Sequence, residues 1–253
     1  MNDPSRELFE HYRTGYERCA LPFFQSLAEV ERYKLDRMPR WIDEIPLDAR
    51  VLDIGCASGY LLSLLSAKGF RHLVGVDLSP PLIEAARERL PTASLHCTDL
   101  REFLRGCEDG TFDVIFCHHV LEHIPREDTI PMLRELHRCL KPGGSLSLRV
   151  PNAGHLLAGV MCYGDFTHVV HFNEWSLSQV LERAGFAYEA IEVNRKPPRL
   201  FWSVRDPIRM MFRLLNRLRW HLHGVVHWSV AVLSEARPRL RCFEQELEMR
   251  VRR

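Results

Sequence analysis

The run V-L-D-I-G-C-A-S-G, Val51 to Gly59, is the first place where residue types and spacing point to chemistry. A short apolar stretch opens straight into a glycine-rich turn, and Gly55 and Gly59 carry no side chain to keep a ligand from the backbone. Glycine turns serve many sheets, so this one decides little alone. Asp77 sharpens it. In G-V-D-L-S it closes the next apolar run, roughly twenty residues on, where a carboxylate can accept both hydroxyl hydrogens of a ribose. Asp99 in C-T-D-L closes a third run, where a carboxylate can take the exocyclic amine of an adenine ring. Singly, each acid reads equally well as a cap or loop carboxylate. In order, on successive strand ends, they mark the edge at which open α/β sheets bind ligands.

Two histidine-rich segments offer a proton acceptor. His118, His119 and His123 surround Glu122 in C-H-H-V-L-E-H-I, and Asp165, His168 and His171 occur in Y-G-D-F-T-H-V-V-H-F. An aspartate can orient an imidazole whose pKa lies near neutrality, which makes His168 with Asp165 the expected catalytic pair. A purely structural role for the two in holding their loop is the competing reading. A metal held by His168, His171 and Asp165 would lack a fourth ligand and any nameable supporting shell, so none is expected.

These residues need a scaffold, and the pattern supplies one. β-branched runs at Val51–Ile54, Leu73–Val76, Ser94–Cys97, Val114–Cys117 and Ser145–Val150 alternate with amphipathic stretches at Tyr60–Lys68, Pro80–Leu90 and Ile130–Leu140. Strand and helix in that alternation predict βαβ units and a parallel sheet. A further helix, Glu174–Ala184, stops at Gly185 and leads into a strand over Tyr188–Val193. The expected fold is α/β, a Rossmann-like three-layer sandwich with a mostly parallel sheet of six or seven strands. A seventh strand has no clear place, unless Leu200–Val204 provides it.

The ordered set from Val51 to about Val150 resembles the class I methyltransferases. That resemblance implies S-adenosyl-L-methionine as cofactor. It assigns the methionine moiety to Asp53, Gly55, Ala57 and Gly59, the ribose to Asp77 with Leu78, and adenine to Asp99 with Leu100, with His118 beside them. Ala57 departs from the family's G-x-G-x-G. Together with Tyr60 it also argues against a nicotinamide enzyme, whose G-x-G-x-x-G needs glycine and a small residue at those two places. From R-V-P-N through Y-G-D-F-T-H to A-G-F at Phe186, the chain further resembles a bacterial branch associated with surface polysaccharide synthesis. The implied activity is methyl transfer to a hydroxyl of a sugar or glycan-linked acceptor. A small lipophilic acceptor such as a quinone precursor is the alternative among enzymes, and a non-catalytic S-adenosylmethionine-binding module the alternative outside them.

The 253 residues divide by pattern into an N-terminal helical cap (1–49), a cofactor-binding domain (50–196) and a basic amphipathic C-terminal extension (197–253). Fourteen Lys/Arg against five Asp/Glu from Arg195 onward give that region +9, against −8 for the rest. Arginines 205, 209, 213 and 217 recur beside a Met/Phe/Leu face and two tryptophans, so the 205–233 tract fits peripheral contact with anionic lipid. Packing on the core and a homodimer interface fit it equally. No nucleic-acid module is visible, and none is expected as partner. Eight scattered cysteines without a C-x-x-C pair, no leader pattern and no membrane-length apolar run lead to a cytoplasmic expectation.

Overall fold

A computed structural model describes residues 38–155, 158–194 and 246–253, and within 195–245 only Leu215, Leu218, His221, Leu222 and Val225. After a 3-10 turn at Arg40–Glu44 the order is β1 (Arg50–Ile54), α1 (Tyr60–Ala67), β2 (His72–Asp77), α2 (Pro80–Arg89), β3 (Ser94–Cys97), α3 (Leu100–Arg105) and β4 (Phe112–His118). A 3-10 turn at Leu121–His123 follows, then α4 (Arg126–Cys139), β5 (Leu140–Pro151), α5 (Ala158–Cys162), α6 (Glu174–Ala184), a 3-10 turn at Tyr188–Ala190, β6 (Ile191–Val193) and β7 (Glu246–Arg252). The strands form one sheet in the order β3-β2-β1-β4-β5-β7-β6, with β7 antiparallel to both neighbours and the pairs from β3 to β5 parallel.

Alternation along the strands sends apolar side chains to both faces. Leu52, Ile54, Ile115, Leu146 and Leu148 pack with Leu133 and Leu136 of α4 and Leu177 and Leu181 of α6. Val51, Val114 and Phe116 face the other way, onto Leu61, Leu62 and Leu65 of α1 and Ile83 of α2. Those two apolar layers make the expected three-layer sandwich. Local signals set the ends: α6 is opened by a capping box in which Asn173 and Ser176 bond each other's backbone, and closed by Gly185 at φ 109°.

Three sequence expectations change. Helix α4 begins four residues before Ile130, because Pro131 is accommodated inside it rather than marking its start. The strand expected over Tyr188–Val193 is shortened by a 3-10 turn. The seventh strand comes from the last residues of the chain, not from Leu200–Val204, which lies outside the described residues. What reads as a charged tail is an alternating strand: Leu247, Met249 and Val251 are fully buried between Glu246, Glu248 and Arg250. Most of the N-terminal cap and of the 205–233 tract also lies outside the described residues. The five positions described there are helical and exposed, and among the described residues no helix is long and apolar enough to cross a membrane.

Since β7 sits between β5 and β6, removing a side chain there opens the core and loosens two strand pairs. Met249→Ala should cost about 2–5 kcal/mol, lowering Tm by very roughly 5–15 °C. Tyr188→Ala, at a position 61% exposed, should leave Tm nearly unchanged. Thermal denaturation of both variants checks this; equal melting would mean that β7 is not part of the stable sheet.

Candidate active site

The parallel strands end on one edge, and the turns there carry the residues singled out above. In the turn after β1, Gly55, Ala57 and Gly59 all have positive φ, at 67°, 47° and 76°. Alanine in the left-handed region costs about 1–2 kcal/mol, and Asp77 holds it there: its Oδ2 accepts the Ala57 N–H at 2.9 Å, while its Oδ1 accepts the Ser79 N–H at 2.9 Å. One carboxylate thus ties the glycine turn to the start of α2. Burial pushes the Asp77 carboxyl up, against the backbone N–H groups of Ser79, Ala57 and Leu78. A Cβ added to Gly55 would lie 2.5 Å from Val120 Cγ2, so this turn abuts the one after β4.

The other expected cofactor residues line the same edge. Asp53 is buried near the end of β1. Leu78 is 49% exposed just past Asp77, a free apolar surface where a planar ring could rest. Asp99 caps α3 through the N–H groups of Arg101 and Glu102 and pairs with the Arg101 guanidinium. Burial would raise its carboxyl, but Arg101 holds it below the usual range. The capping role weighed from sequence is therefore present, and it leaves Oδ2 with a single bond, from Arg101 Nη2 at 3.3 Å, and room for a further donor. Leu100 opens α3 and packs partly on the core. His118 bonds Ser147 of β5 through Nε2 at 2.9 Å, its ring edge-on to Phe116. Positive-φ backbone, a shared carboxylate and an exposed leucine in this order fit an adenosine-bearing ligand.

On the acceptor side, the two histidine segments come together. The N–H groups of Val169 and Val170 both bond the Glu122 carbonyl, at 2.8 and 3.1 Å, which docks the loop after α5 onto the turn after β4. The His123 and His168 rings meet edge to face at 4.8 Å between centroids.

The expected Asp165–His168 pair is not formed. Asp165 Oδ1 accepts the Thr167 N–H at 2.9 Å and its hydroxyl at 2.6 Å, while His168 Nδ1 bonds the Cys162 carbonyl at 3.1 Å. A short side chain closing on the backbone two residues ahead is the ordinary local bond of aspartate, and it wins here over the imidazole. Burial alone would raise the Asp165 carboxyl; the Thr167 bonds and the nearby His168 and His123 hold it below the usual range. Thr167 Oγ1 then meets His123 Nδ1 at 2.9 Å. His171, weighed from sequence beside His168 and Asp165, has its ring edge-on to Tyr163. A different group forms, in which Glu122, His123 and His168 each present one ligand atom within 4.8 Å of the others. Glu122 and His123 lie in the first of the two histidine-rich segments, and Thr167 lies between the Asp165 and His168 of the second. The adjacent Glu-His pair was the only sequence signal for them.

Comparison with known proteins agrees with this architecture. A family model described as a methyltransferase domain matches residues 26–191. A ubiquinone biosynthesis O-methyltransferase of Xanthomonas campestris is 36% identical over 108 residues, 41% of this chain and 44% of that protein. The chain therefore spans less than half the length of that relative. One of the same name from Xylella fastidiosa is 31% identical over 175 residues, 61% of this chain and 68% of that protein. Both names refer to ubiquinone, neither to a surface polysaccharide. Among solved structures, a SAM-dependent methyltransferase from Archaeoglobus fulgidus superposes with a TM-score of 0.66 at 20% identity, covering 96% of this chain and 100% of that one. Phosphoethanolamine N-methyltransferase 2 of Haemonchus contortus, bound to S-adenosylmethionine, gives 0.57 at 20% identity over 89% of this chain and 52% of that one. With an ordered nucleoside edge, a 3-2-1-4-5-7-6 sheet and a family model spanning most of the described core, the chain belongs to the class I S-adenosylmethionine-dependent methyltransferases.

Proposed function

We propose that this protein transfers a methyl group to a hydroxyl of a hydroxylated aromatic ring carrying a hydrocarbon tail, the chemistry of a quinone precursor. The observation that carries this reading is the company of the histidine pair. On the segment that delivers His168, Val160, Tyr163, Phe166 and Val169 are 71, 74, 88 and 55% exposed. Apolar side chains held out beside a polar cluster suit an acceptor with an apolar body and a polar reacting end. The ubiquinone-pathway names of the curated relatives support the same class. The sugar acceptor rests on resemblance alone.

Asp53 and the Gly55–Gly59 turn with Ala57 would hold the methionine moiety, Asp77 the ribose with Leu78 beside it, and Asp99 with Leu100 the adenine, His118 flanking. The cofactor supplies a methyl group on a sulfonium, which the acceptor oxygen displaces in line. The chain's own work is alignment, exclusion of water and activation of the hydroxyl. Activation would fall to Glu122 and His123, on the turn that abuts the cofactor turn through Val120, and to His168 on the loop docked against it. Asp165 acts at one remove, bracing the loop through Thr167.

Titration calorimetry should show S-adenosylmethionine and its demethylated product binding to the wild type, with Asp77→Ala at least tenfold weaker; binding by neither would remove the cofactor assignment. With labelled cofactor, a prenylated catechol should accept methyl groups while simple glycosides should not. The reverse preference would sink the acceptor class. His168→Ala should lower kcat by roughly 100-fold or more at unchanged cofactor affinity. No turnover on any acceptor, with cofactor binding intact, would favour a binding module.

A further inference from the structure

Cys107, in the turn after α3, and Cys139, the last residue of α4, meet around a single carbonyl oxygen. Leu104 O accepts the Cys107 N–H at 3.0 Å and lies 3.8 Å from the Cys139 sulfur. The Cys107 thiol faces Phe103 O at 3.4 Å, and the two thiols stand within hydrogen-bonding reach of each other. Cys139 is fully buried in the core that α4 makes with the sheet, and Cys107 packs on the same core while partly open to solvent. Neither belongs to the residues assigned to cofactor or acceptor.

The backbone around them is fixed by Arg138. Its Nη1 donates to Cys107 O at 2.7 Å and its Nη2 to Leu104 O at 2.7 Å, while Asp109 and Glu135 take their other N–H groups at 2.6 and 2.8 Å. The turn after α3 is thereby held against the end of α4. Two sulfurs kept in contact by the structure around them already have most of the ordering that a cross-link requires. Burial raises both thiols, Cys139 to about 12, with Arg138 opposing it at each. At neutral pH the pair is therefore two neutral thiols, and Cys107 is the one that an oxidant reaches.

We propose that Cys107 and Cys139 are a redox-sensitive pair, closed to a disulfide by a peroxide and reopened by a dithiol, that staples the end of α3 to the end of α4. Cys107 reacts through the small fraction present as thiolate: its sulfur takes one oxygen from hydrogen peroxide, the O–O bond breaks, and water leaves. The Cys139 sulfur then displaces that oxygen from the Cys107 sulfenic acid as a second water, which carries away the Cys139 thiol proton. Two thiols and one peroxide thus give one disulfide and two waters. The sulfurs draw in to about 2.05 Å, a shift that falls on the turn after α3. Asp99 and Leu100 stand at the other end of α3, whose start is tied to α4 by Arg101 and Asp128 at 2.7 Å. The staple therefore stabilises the fold and leaves the cofactor edge in place. It is independent of which acceptor is methylated.

The test treats the full, reduced chain with hydrogen peroxide, blocks the remaining thiols with iodoacetamide and maps a digest without reductant. The expected product is a linked Cys107–Cys139 peptide, lighter by two hydrogens than its reduced parts, which dithiothreitol opens. Closing a loop of about 30 residues should raise Tm by very roughly 5–10 °C, with cofactor affinity unchanged on titration. Cys139→Ser should abolish both the linked peptide and the rise in Tm, while Cys97→Ser, at an exposed thiol, keeps both. Should Cys139→Ser not fold, Cys107→Ser takes its place, and the wild-type digest decides the pairing without either. Oxidation that adds oxygen to Cys107 and leaves Cys139 free overturns the proposal. So does a disulfide between any other two cysteines, or a linked form that melts no higher than the reduced protein or loses the cofactor. If the reduced protein binds no cofactor either, the methyltransferase reading falls, and mapping and melting alone judge the staple.

Discussion

Because β1, β2, β4 and β5 run parallel, every one of them delivers its chain to the same edge, and the candidate site among the described residues lies in the turns that leave it. The edge is a row of polar turn backbone on a scaffold that is apolar on both faces. Its turns must be tied to one another, since each is anchored to the sheet at only one end. Asp77 does this on one side, joining the turn after β1 to the start of α2. The Glu122 carbonyl does it on the other, joining the turn after β4 to the loop after α5. Val120 against Gly55 links the two halves, and glycine at 55 is needed for that approach as well as for its positive φ.

The C-terminal strand extends the same constraint to the turn after β4. Its first residue, Glu246, faces both Arg149 of β5, at 3.7 Å, and His119, at 3.6 Å, while Glu248 pairs with Arg149 at 3.1 Å. Arg149 is only 8% exposed, so these contacts are screened far less than surface pairs. His119 is held at φ 56°, with its N–H on the Arg149 carbonyl at 2.8 Å. A non-glycine residue in that region persists only where its surroundings over-determine it. Here β7 helps to do so, and the last residues of the chain thereby shape a turn that belongs to β4. At this same edge β6 ends and β7 begins.

Much of this was legible in the residues. Strand runs with period and length suited to a parallel core, a proline-opened α2, the Asn173 and Gly185 signals of α6 and the three ordered acids all act locally, so single-sequence reasoning reaches them. What escaped depends on tertiary context. In E-L-E-M-R-V-R the charges mask an alternation, because the face bearing Glu246, Glu248 and Arg250 is half-buried by ion pairing rather than by apolar packing. Asp165 and His168 look like a dyad at a spacing of three. Which atom the carboxylate chooses depends on backbone direction, and Thr167 was nearer. Glu122 and His123 are separated by more than forty residues from the loop that gives them meaning, and no periodicity spans such a gap.

Ala57 shows how far a family pattern can be bent without loss of its physical content. The pattern asks for glycine because the conformation is left-handed, and the conformation is kept at φ 47°. Its cost falls on a position where the Asp77 carboxylate meets the alanine N–H, so the glycine turn and Asp77 are mutually dependent. Glu122 follows the same logic with charge in place of strain: its carboxylate is almost fully buried, with the His119 ring 3.3 Å away as the ionisable group beside it. In both places the least comfortable group in the local structure stands at the edge where ligands meet the sheet. That coincidence is what sets this edge apart from a row of well-made turns and makes it the candidate site.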